Sequence, residues 1–285
     1  MKILLYGNSN QEKAIDGISL LAAHLAQRGI DCDVEAQFYD YLVEAGAKLH
    51  SAGRMACGTV PQADLAISLG GDGTFLTTVM WVAPHRIPIM GVNTGHLGYL
   101  TACSIDQVCG MIDDIIDGNY VTEERTMVQV ECDQAHIEHP FALNEVALQR
   151  HDSSSMIEME TCLNGKHLTT YKGDGLVVST PTGSTAYNLS AGGPLLDPST
   201  ACLVLTPVSP HSLTMRPIVV PDNARIDITT HARAEQYLIS LDGESIPCPA
   251  GSTVTITRSP MKVIVVQRPG HHFANALQQK LHWGV

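Results

Sequence analysis

Over the first 120 residues, short apolar runs alternate with stretches of helical period. Lys2 to Tyr6 is apolar and stops at Gly7-Asn8-Ser9-Asn10, which predicts a buried strand. Ile15, Ile18, Leu21, Ala22 and Leu25 then share one helical face within 12–28, closed by Gly29. A weak second strand is predicted over Cys32 to Ala36, a helix over 38–50, and a mobile loop of small residues over Ser51 to Thr59. Asp64 to Leu69 reads as a buried strand. It runs into Gly70-Gly71-Asp72-Gly73-Thr74, and the helical period resumes over Phe75 to Ala83. A strand over Ile87 to Val92 and a helix over Ile105 to Ile116 follow. Strands alternating with helices predict a parallel sheet covered on both faces.

After Asp117-Gly118-Asn119 the pattern becomes strand-like, with segments at 126–132, 141–149, 156–163, 167–171, 175–179, 202–206, 218–220, 225–230, 236–241, 253–257 and 262–267. Turn signals such as Asn164-Gly165, Asp242-Gly243 and Pro249-Ala250-Gly251 separate many of them. One helical insert is expected near 183–191 and a terminal helix over 271–283. The expected organisation is therefore an α/β domain over 1–120, carrying the Gly70 to Thr74 turn, and an all-β, sandwich-like domain over 121–270. The C-terminal segment 271–285 is expected to pack back on the first domain.

Composition narrows the function. Seventeen Lys plus Arg face 29 Asp plus Glu, a formal net charge of −12, which disfavours nucleic acid and anionic membranes as partners. It does not exclude a small anion, because backbone amides and metal ions bind phosphate without a net positive field. The eight cysteines contain no C-x-x-C pair and match no zinc spacing, so they read as reduced thiols and no protein-bound metal is expected. No apolar run reaches the length of a membrane span, and a cytoplasmic protein is expected.

The turn at 70–74 places three glycines in four positions at a strand end, where ligands bind in open α/β sheets. Helix-start amides suit a phosphate, which makes Gly70, Gly71 and Thr74 candidate phosphate-side residues. A lone carboxylate repels a phosphate but suits a hydroxyl as a base, so Asp72 points to phosphoryl transfer; the plain alternative is a tight turn with a capping Asp. No G-x-G-x-x-G is present. Gly53 to Thr59 has Walker A glycine spacing but Thr59 where Lys is needed.

The second block, Leu176 to Pro194, is dense in hydroxyls: Ser179, Thr180, Thr182, Ser184, Thr185, Tyr187 and Ser190 surround Pro181 and Gly183. Such a turn offers neutral donors to a diphosphate and ribose, and Tyr187 offers a ring face to a base. Just before it, Asp174 could accept from an adenine amino group or a sugar hydroxyl; Lys172 is one of few cations nearby.

Taken together, the Gly70 to Thr74 turn, the Gly91 to Leu100 string, the Asn144-Glu145 pair, Gly173-Asp174-Gly175 and the Thr180 to Pro194 block resemble the NAD kinases in order and spacing, over residues 64 to 270. The first motif is shared with diacylglycerol, sphingosine and phosphofructo-kinases; the Thr180 to Pro194 block is far more specific. The resemblance implies an enzyme that moves the γ-phosphoryl of ATP to the 2′-hydroxyl of the adenosine ribose of NAD, giving NADP. It implies Asp72 as the catalytic base with Gly73 close to the dinucleotide. NAD contacts are implied at Asn144, Glu145, Lys172, Asp174, Thr185, Ala186, Tyr187, Asn188, Leu189 and Ser190, and NAD is expected in a crevice between the Asp72 turn and the Thr182 to Ser190 turn. Magnesium arriving with ATP, and a homo-oligomer, dimer or tetramer, are further implications. His211 matches a family string, as ligand neighbour or structural hydrogen-bonder, and Glu244 stands where the family carries Gln. Inorganic polyphosphate stays open as an alternative donor. The rivals are a lipid or sugar kinase sharing only the Asp72 motif, and a non-catalytic NAD(P) sensor.

Overall fold

The computed structural model describes every residue except 10, 96, 97, 152–154 and 285. His96 and Leu97 of the family string thus lie outside the described residues. The chain forms two compact units, Met1–Glu124 with Val263–Val285, and Arg125–Lys262.

In chain order the first unit holds β1 (Lys2–Gly7), α1 (Ile15–Gln27), β2 (Asp31–Val34), α2 (Ala36–Glu44), β3 (Gly53–Arg54), β4 (Leu65–Leu69), α3 (Asp72–Val82), β5 (Ile89–Asn93), β6 (Cys103–Ser104) and α4 (Val108–Ile116). The strands pair in the order β3-β2-β1-β4-β5, all parallel. The order reverses at β1: β2 follows it on one side and β4 on the other. The carboxyl ends of β1 and β4 therefore flank the place where open α/β sheets bind ligands. β4 and β5 are buried along their whole length, as expected for central parallel strands covered on both faces. The core joins Ile3, Leu5, Ile67 and Leu69 of the sheet to Ile18, Leu21 and Leu25 of α1 and Met111 and Ile112 of α4.

The second unit is antiparallel throughout. Its strands are the latter part of β7 (Val121–Cys132), β8 (Phe141–Ala142), β9 (Glu145–Arg150), β10 (Ile157–Leu163), β11 (Lys166–Gly173), β12 (Gly175–Ser179), β13 (Cys202–Val208), β14 (Ile218–Pro221), β15 (Ile226–His231), β16 (Gln236–Leu241), β17 (Glu244–Pro249) and most of β18 (Thr253–Gln267). One sheet runs β14-β13-β12-β9-β16-β17, and β11-β10-β15-β18 pair in the other. A single core cluster draws on both sheets, including Val146, Leu148, Leu176 and Ile239 from the first and Met159, Ile226, Ile228 and Val254 from the second. That is a sandwich. A 3₁₀ turn (Thr182–Thr185) and α5 (Tyr187–Ser190) are its helical insert, and α6 (Phe273–Leu281) ends the chain.

Several elements differ from the expectations of pattern alone. The helix after β2 ends at Glu44, because Gly46 turns the chain with φ +80°. The segment expected as a mobile loop contains β3, paired to β2 through Asp33–Gly53 and Val34–Arg54. The helix expected from Phe75 begins at Asp72 itself. β17 went unread because two prolines, Pro247 and Pro249, interrupt its pattern; at the edge of its sheet it tolerates them. The runs at 253–257 and 262–267 are one strand, continuous through Pro260.

Candidate active site

In the first unit the site is built on the β4–α3 turn. A Cβ on Gly70 would lie 2.3 Å from Thr74 Oγ1 and 2.6 Å from its Cβ, so only glycine lets the strand end approach the helix this closely. Thr74 is buried, and its hydroxyl accepts from Asn8 Nδ2 at 3.1 Å, while Gln11 Nε2 donates to the Leu69 carbonyl at 2.9 Å. Thr74, expected on the phosphate side, thus ties the turn to the loop after β1. The N-terminus of α3 carries no side-chain cap. The amides of its first turn have no partner within the helix, which is what an anion site requires. Gly73 is exposed, with no atom within 4 Å of the position a Cβ would take, so a ligand can approach its backbone.

Asp72 does not cap its own helix. Its Oδ2 accepts the Tyr99 amide at 2.7 Å and its Oδ1 the Leu100 amide at 2.8 Å. Gly98 must be glycine here, since a Cβ would lie 2.3 Å from Asp72 Oδ1. The same strap is held from its carbonyl side by Lys280 of α6, whose Nζ donates to Tyr99 O and Thr101 O, each at 2.8 Å, and lies 5.7 Å from the Tyr99 ring centroid. Lys280 has no sequence signal that ties it to the strap, 179 residues away. Each carboxylate oxygen of Asp72 keeps further acceptor capacity after one amide bond. The half-buried side chain is therefore oriented and still able to take a proton. Among the described residues no three His, Cys, Asp or Glu side chains converge as metal ligands. With its one carboxylate engaged by amides, this turn suits an anion better than a bare cation.

In the second unit, Asn144 and Glu145 sit at the start of β9, beside the hydroxyl-rich turn. Asp242, on the turn between β16 and β17, collects three consecutive amides: Leu143 at 2.7 Å, Asn144 at 2.8 Å and Glu145 at 3.0 Å. The Asn144 carbonyl accepts the Thr180 amide at 2.9 Å, and a Cβ on Gly183 would lie 2.1 Å from that same oxygen. The Glu145 carboxylate accepts the Tyr187 amide, and the Tyr187 hydroxyl accepts Gln149 Nε2 at 2.8 Å. Two buried acceptors remain without a protein partner, Asn144 Oδ1 and Glu145 Oε2. Buried polar atoms are rarely left so, and two on adjacent residues mark a place for ligand donors. Burial, and secondarily the Asp242 carboxylate, push Glu145 up to about 7, against the Tyr187 amide. Burial likewise raises Asp242, against its three amides.

The remaining candidates divide. Thr185, Ala186 and Tyr187 are half-buried and Leu189 and Ser190 exposed. Asn188 is fully buried and bonded at both ends: Nδ2 to Ser184 O at 3.1 Å and Pro194 O at 2.9 Å, Oδ1 from Thr206 Oγ1 at 2.6 Å. Its side chain holds the turn together. Asp174 pairs with Arg150 Nε at 3.2 Å and, with His211 and Glu158, lines a cavity of about 520 Å³ within this unit. Lys172 is exposed and paired with Glu158 at 2.9 Å. Asp242 was visible in the sequence only as a turn residue, and its three-amide clasp had no local signal.

Two family models match the chain: the ATP-NAD kinase N-terminal domain over residues 4–120 and the ATP-NAD kinase C-terminal domain over residues 143–268. The NAD kinase of Bacteroides fragilis is 40% identical over 286 residues, covering 100% of this chain and 98% of that protein. The NAD kinase of Porphyromonas gingivalis is 37% identical, covering 99% and 98%. Among solved structures, the yeast NADH kinase complexed with NADH aligns with a TM-score of 0.88 at 21% identity, covering 100% of this chain and 88% of that one. An NAD kinase from Archaeoglobus fulgidus in complex with ATP aligns at 0.72 with 22% identity, covering 94% of each. These last two likenesses bear on the fold. With both halves matched and full-length relatives at this identity, the chain belongs to the NAD kinase family.

Proposed function

We propose that the chain is an ATP-dependent NAD kinase that phosphorylates the 2′-hydroxyl of the adenosine ribose of NAD. The observation that carries this is the pair of buried, unpartnered acceptors, Asn144 Oδ1 and Glu145 Oε2. A ribose presents vicinal hydroxyl donors, and a carboxylate beside an amide oxygen accepts them. Asp72 is the base: it takes the proton of the attacking hydroxyl as that oxygen bonds to the γ-phosphorus, and the bond from phosphorus to the β–γ bridging oxygen breaks to release ADP. The uncapped N-terminus of α3 and the exposed Gly73 backbone stabilise phosphate charge. Magnesium arrives with ATP as part of the substrate and offsets its charge. Thr185, Ala186, Tyr187, Leu189 and Ser190 line the dinucleotide, and Asp174 receives an amino or hydroxyl donor. A cytoplasmic homo-oligomer completes the reading; eight free cysteines suit a reducing compartment.

Purified protein with MgATP should convert NAD to NADP and leave fructose 6-phosphate and diacylglycerol unlabelled. Label entering either of those, or NAD binding without ADP release, would overturn the assignment.

The raised Glu145 carboxyl adds a pH prediction. Its folded value lies above its unfolded one, so the stability linked to it is full below about 4.5 and is lost as pH rises through about 7. The Tm without ligand should fall between pH 5 and 8, and Glu145→Gln should flatten that fall. NAD affinity should change the opposite way, rising across the same window, because ribose donors favour the ionised form. Calorimetry and ligand titration at both pH values check the two signs together; a Gln variant with an unchanged profile would remove Glu145 from this role.

A further inference from the structure

Lys280 lies near the C-terminus, outside every motif that marked the site, yet its ammonium reaches the strap that holds Asp72. α6 belongs to the first unit. Ala276 and Leu277 are buried, and Lys280 follows them at intervals of four and three, so the three share one face of the helix. The helix closes just beyond: His282 turns left-handed with φ +51°, and the Trp283 amide donates to the Leu277 carbonyl at 3.2 Å. A cation in the last turn also suits the negative end of the helix. The half-buried Lys280 side chain spends two of its three donors on the carbonyls of Tyr99 and Thr101.

The two carbonyls lead in different directions. Tyr99 O and Leu100 N belong to one peptide group, and a trans peptide points its carbonyl and its amide to opposite sides. Lys280 Nζ donates to that carbonyl at 2.8 Å, and that amide donates to Asp72 Oδ1 at 2.8 Å. An ammonium, one peptide and a carboxylate therefore form an unbroken chain, with the two charges within about 8 Å of each other. A cation on the carbonyl draws electron density from the amide, so the Leu100 N–H binds the carboxylate more strongly; bonds in such chains reinforce one another. The second carbonyl, Thr101 O, shares its peptide with Ala102 N, which donates to Gly91 O of β5 at 2.8 Å. The strap sits close on that strand: a Cβ on Gly91 would lie 3.0 Å from Leu100 O and 3.1 Å from Thr101 Cα. One arm of Lys280 thus ends on Asp72 and the other on the sheet.

We propose that Lys280 is a positioning residue for Asp72: through the Tyr99–Leu100 peptide its ammonium tightens the Leu100 amide on Oδ1 and keeps the carboxylate aimed at the attacking hydroxyl. It touches neither substrate. The inference rests on Asp72 as the base and adds the C-terminal helix to the parts that hold that base in place. A neutral side chain of similar length would keep the helix packing and lose the polarised peptide.

Lys280→Met should lower kcat by about 10- to 100-fold, the scale of a catalytic group misplaced by about 1 Å, with the KM for NAD within error. Lys280→Arg, which keeps the charge and can donate to both carbonyls, should recover most of the loss. Lys280→Gln, which keeps an N–H donor without the charge, is a second neutral variant and should behave as Lys280→Met. A double-mutant cycle separates positioning from support. In an Asp72→Asn background Lys280→Met should cost little further turnover, because the carboxylate it serves is gone. The peptide itself can be read by NMR: with ¹³C-carbonyl tyrosine and ¹⁵N leucine, only the Tyr-Leu pairs at 41–42, 99–100 and 237–238 give carbonyl–amide correlations. The Leu100 amide proton should move upfield in the neutral variants, as its bond weakens, and stay near its place in Lys280→Arg. An equal kcat loss in both backgrounds, or an unmoved Leu100 resonance in the neutral variants, would make Lys280 a helix anchor and overturn the proposal. Near-normal turnover in Asp72→Asn is a different failure: it removes the base itself, while a moved Leu100 resonance still shows the chain from Lys280 to that carboxylate.

Discussion

Replacing Asp72 with Asn should lower turnover by about 10²–10⁴-fold, the usual scale for a lost general base, with NAD affinity nearly unchanged. The geometry adds a second effect, on stability, to the loss of the proton acceptor. Both carboxylate oxygens accept backbone amides, from Tyr99 and Leu100. An Asn retains one oxygen and turns an NH₂ group toward the other amide, leaving donor against donor. An unsatisfied donor costs about 1–3 kcal/mol when buried and less at a half-buried site such as this, so the variant should also melt somewhat earlier. Two readouts separate the roles. Single-turnover NADP formation reports the base, and calorimetry of the free protein reports the strap. Gly98→Ala provides the complementary test, because its Cβ would fall 2.3 Å from Asp72 Oδ1 and displace a carboxylate that is still present. It should lose turnover too. Near-normal turnover in Asp72→Asn would end the assignment of the base.

Asp242→Asn should raise the KM for NAD by about 10- to 100-fold while leaving the KM for ATP within error. The carboxylate touches no substrate in this scheme. It acts by holding three consecutive amides, and so fixes where Asn144 and Glu145 aim their unpartnered oxygens. A carboxamide has one acceptor oxygen for three donors, and its NH₂ group opposes at least one of them. The substitution is backbone-neutral: Asp242 has φ +47°, a conformation Asn adopts readily. Loss of affinity therefore reports the clasp and not the turn. The pH dependence of NAD affinity is the discriminating readout. Removing the neighbouring charge should lower the Glu145 pKa, because that charge contributes to raising it. The affinity step should then move to lower pH. An unchanged step would show Asp242 to be a turn residue without influence on the site.

What the sequence could disclose followed the range of each signal. β1, α1 and β4 are legible because their patterns are local and strong. The pair Asn144-Glu145 could be singled out only through the resemblance to the NAD kinases. That their oxygens are buried and unpartnered could not, since the groups around them come from the 180–187 turn and Asp242, far along the chain. Lys280 and Asp242 act across 179 and 97 to 99 residues, and no window along the chain contains both partners. Thr74 and Asn188 show the reverse case: residue type and position mark them as candidates, and only the fold shows that their side chains tie the turns together. The Ser51 to Thr59 segment misled because small residues and glycine suggest mobility, whereas pairing with β2 and the bonds at Met55 and Thr59 give it a defined path.

The Asp242 clasp also bears on how the protein is made. During synthesis the amides of Leu143, Asn144 and Glu145 emerge from the ribosome nearly a hundred residues before their acceptor does. At about 5–20 residues per second, that is a wait of about 5–20 s. Through that interval the strand proposed to hold NAD lacks the group that aims it, and on that proposal it gains binding competence only when the hairpin of β16 and β17 closes.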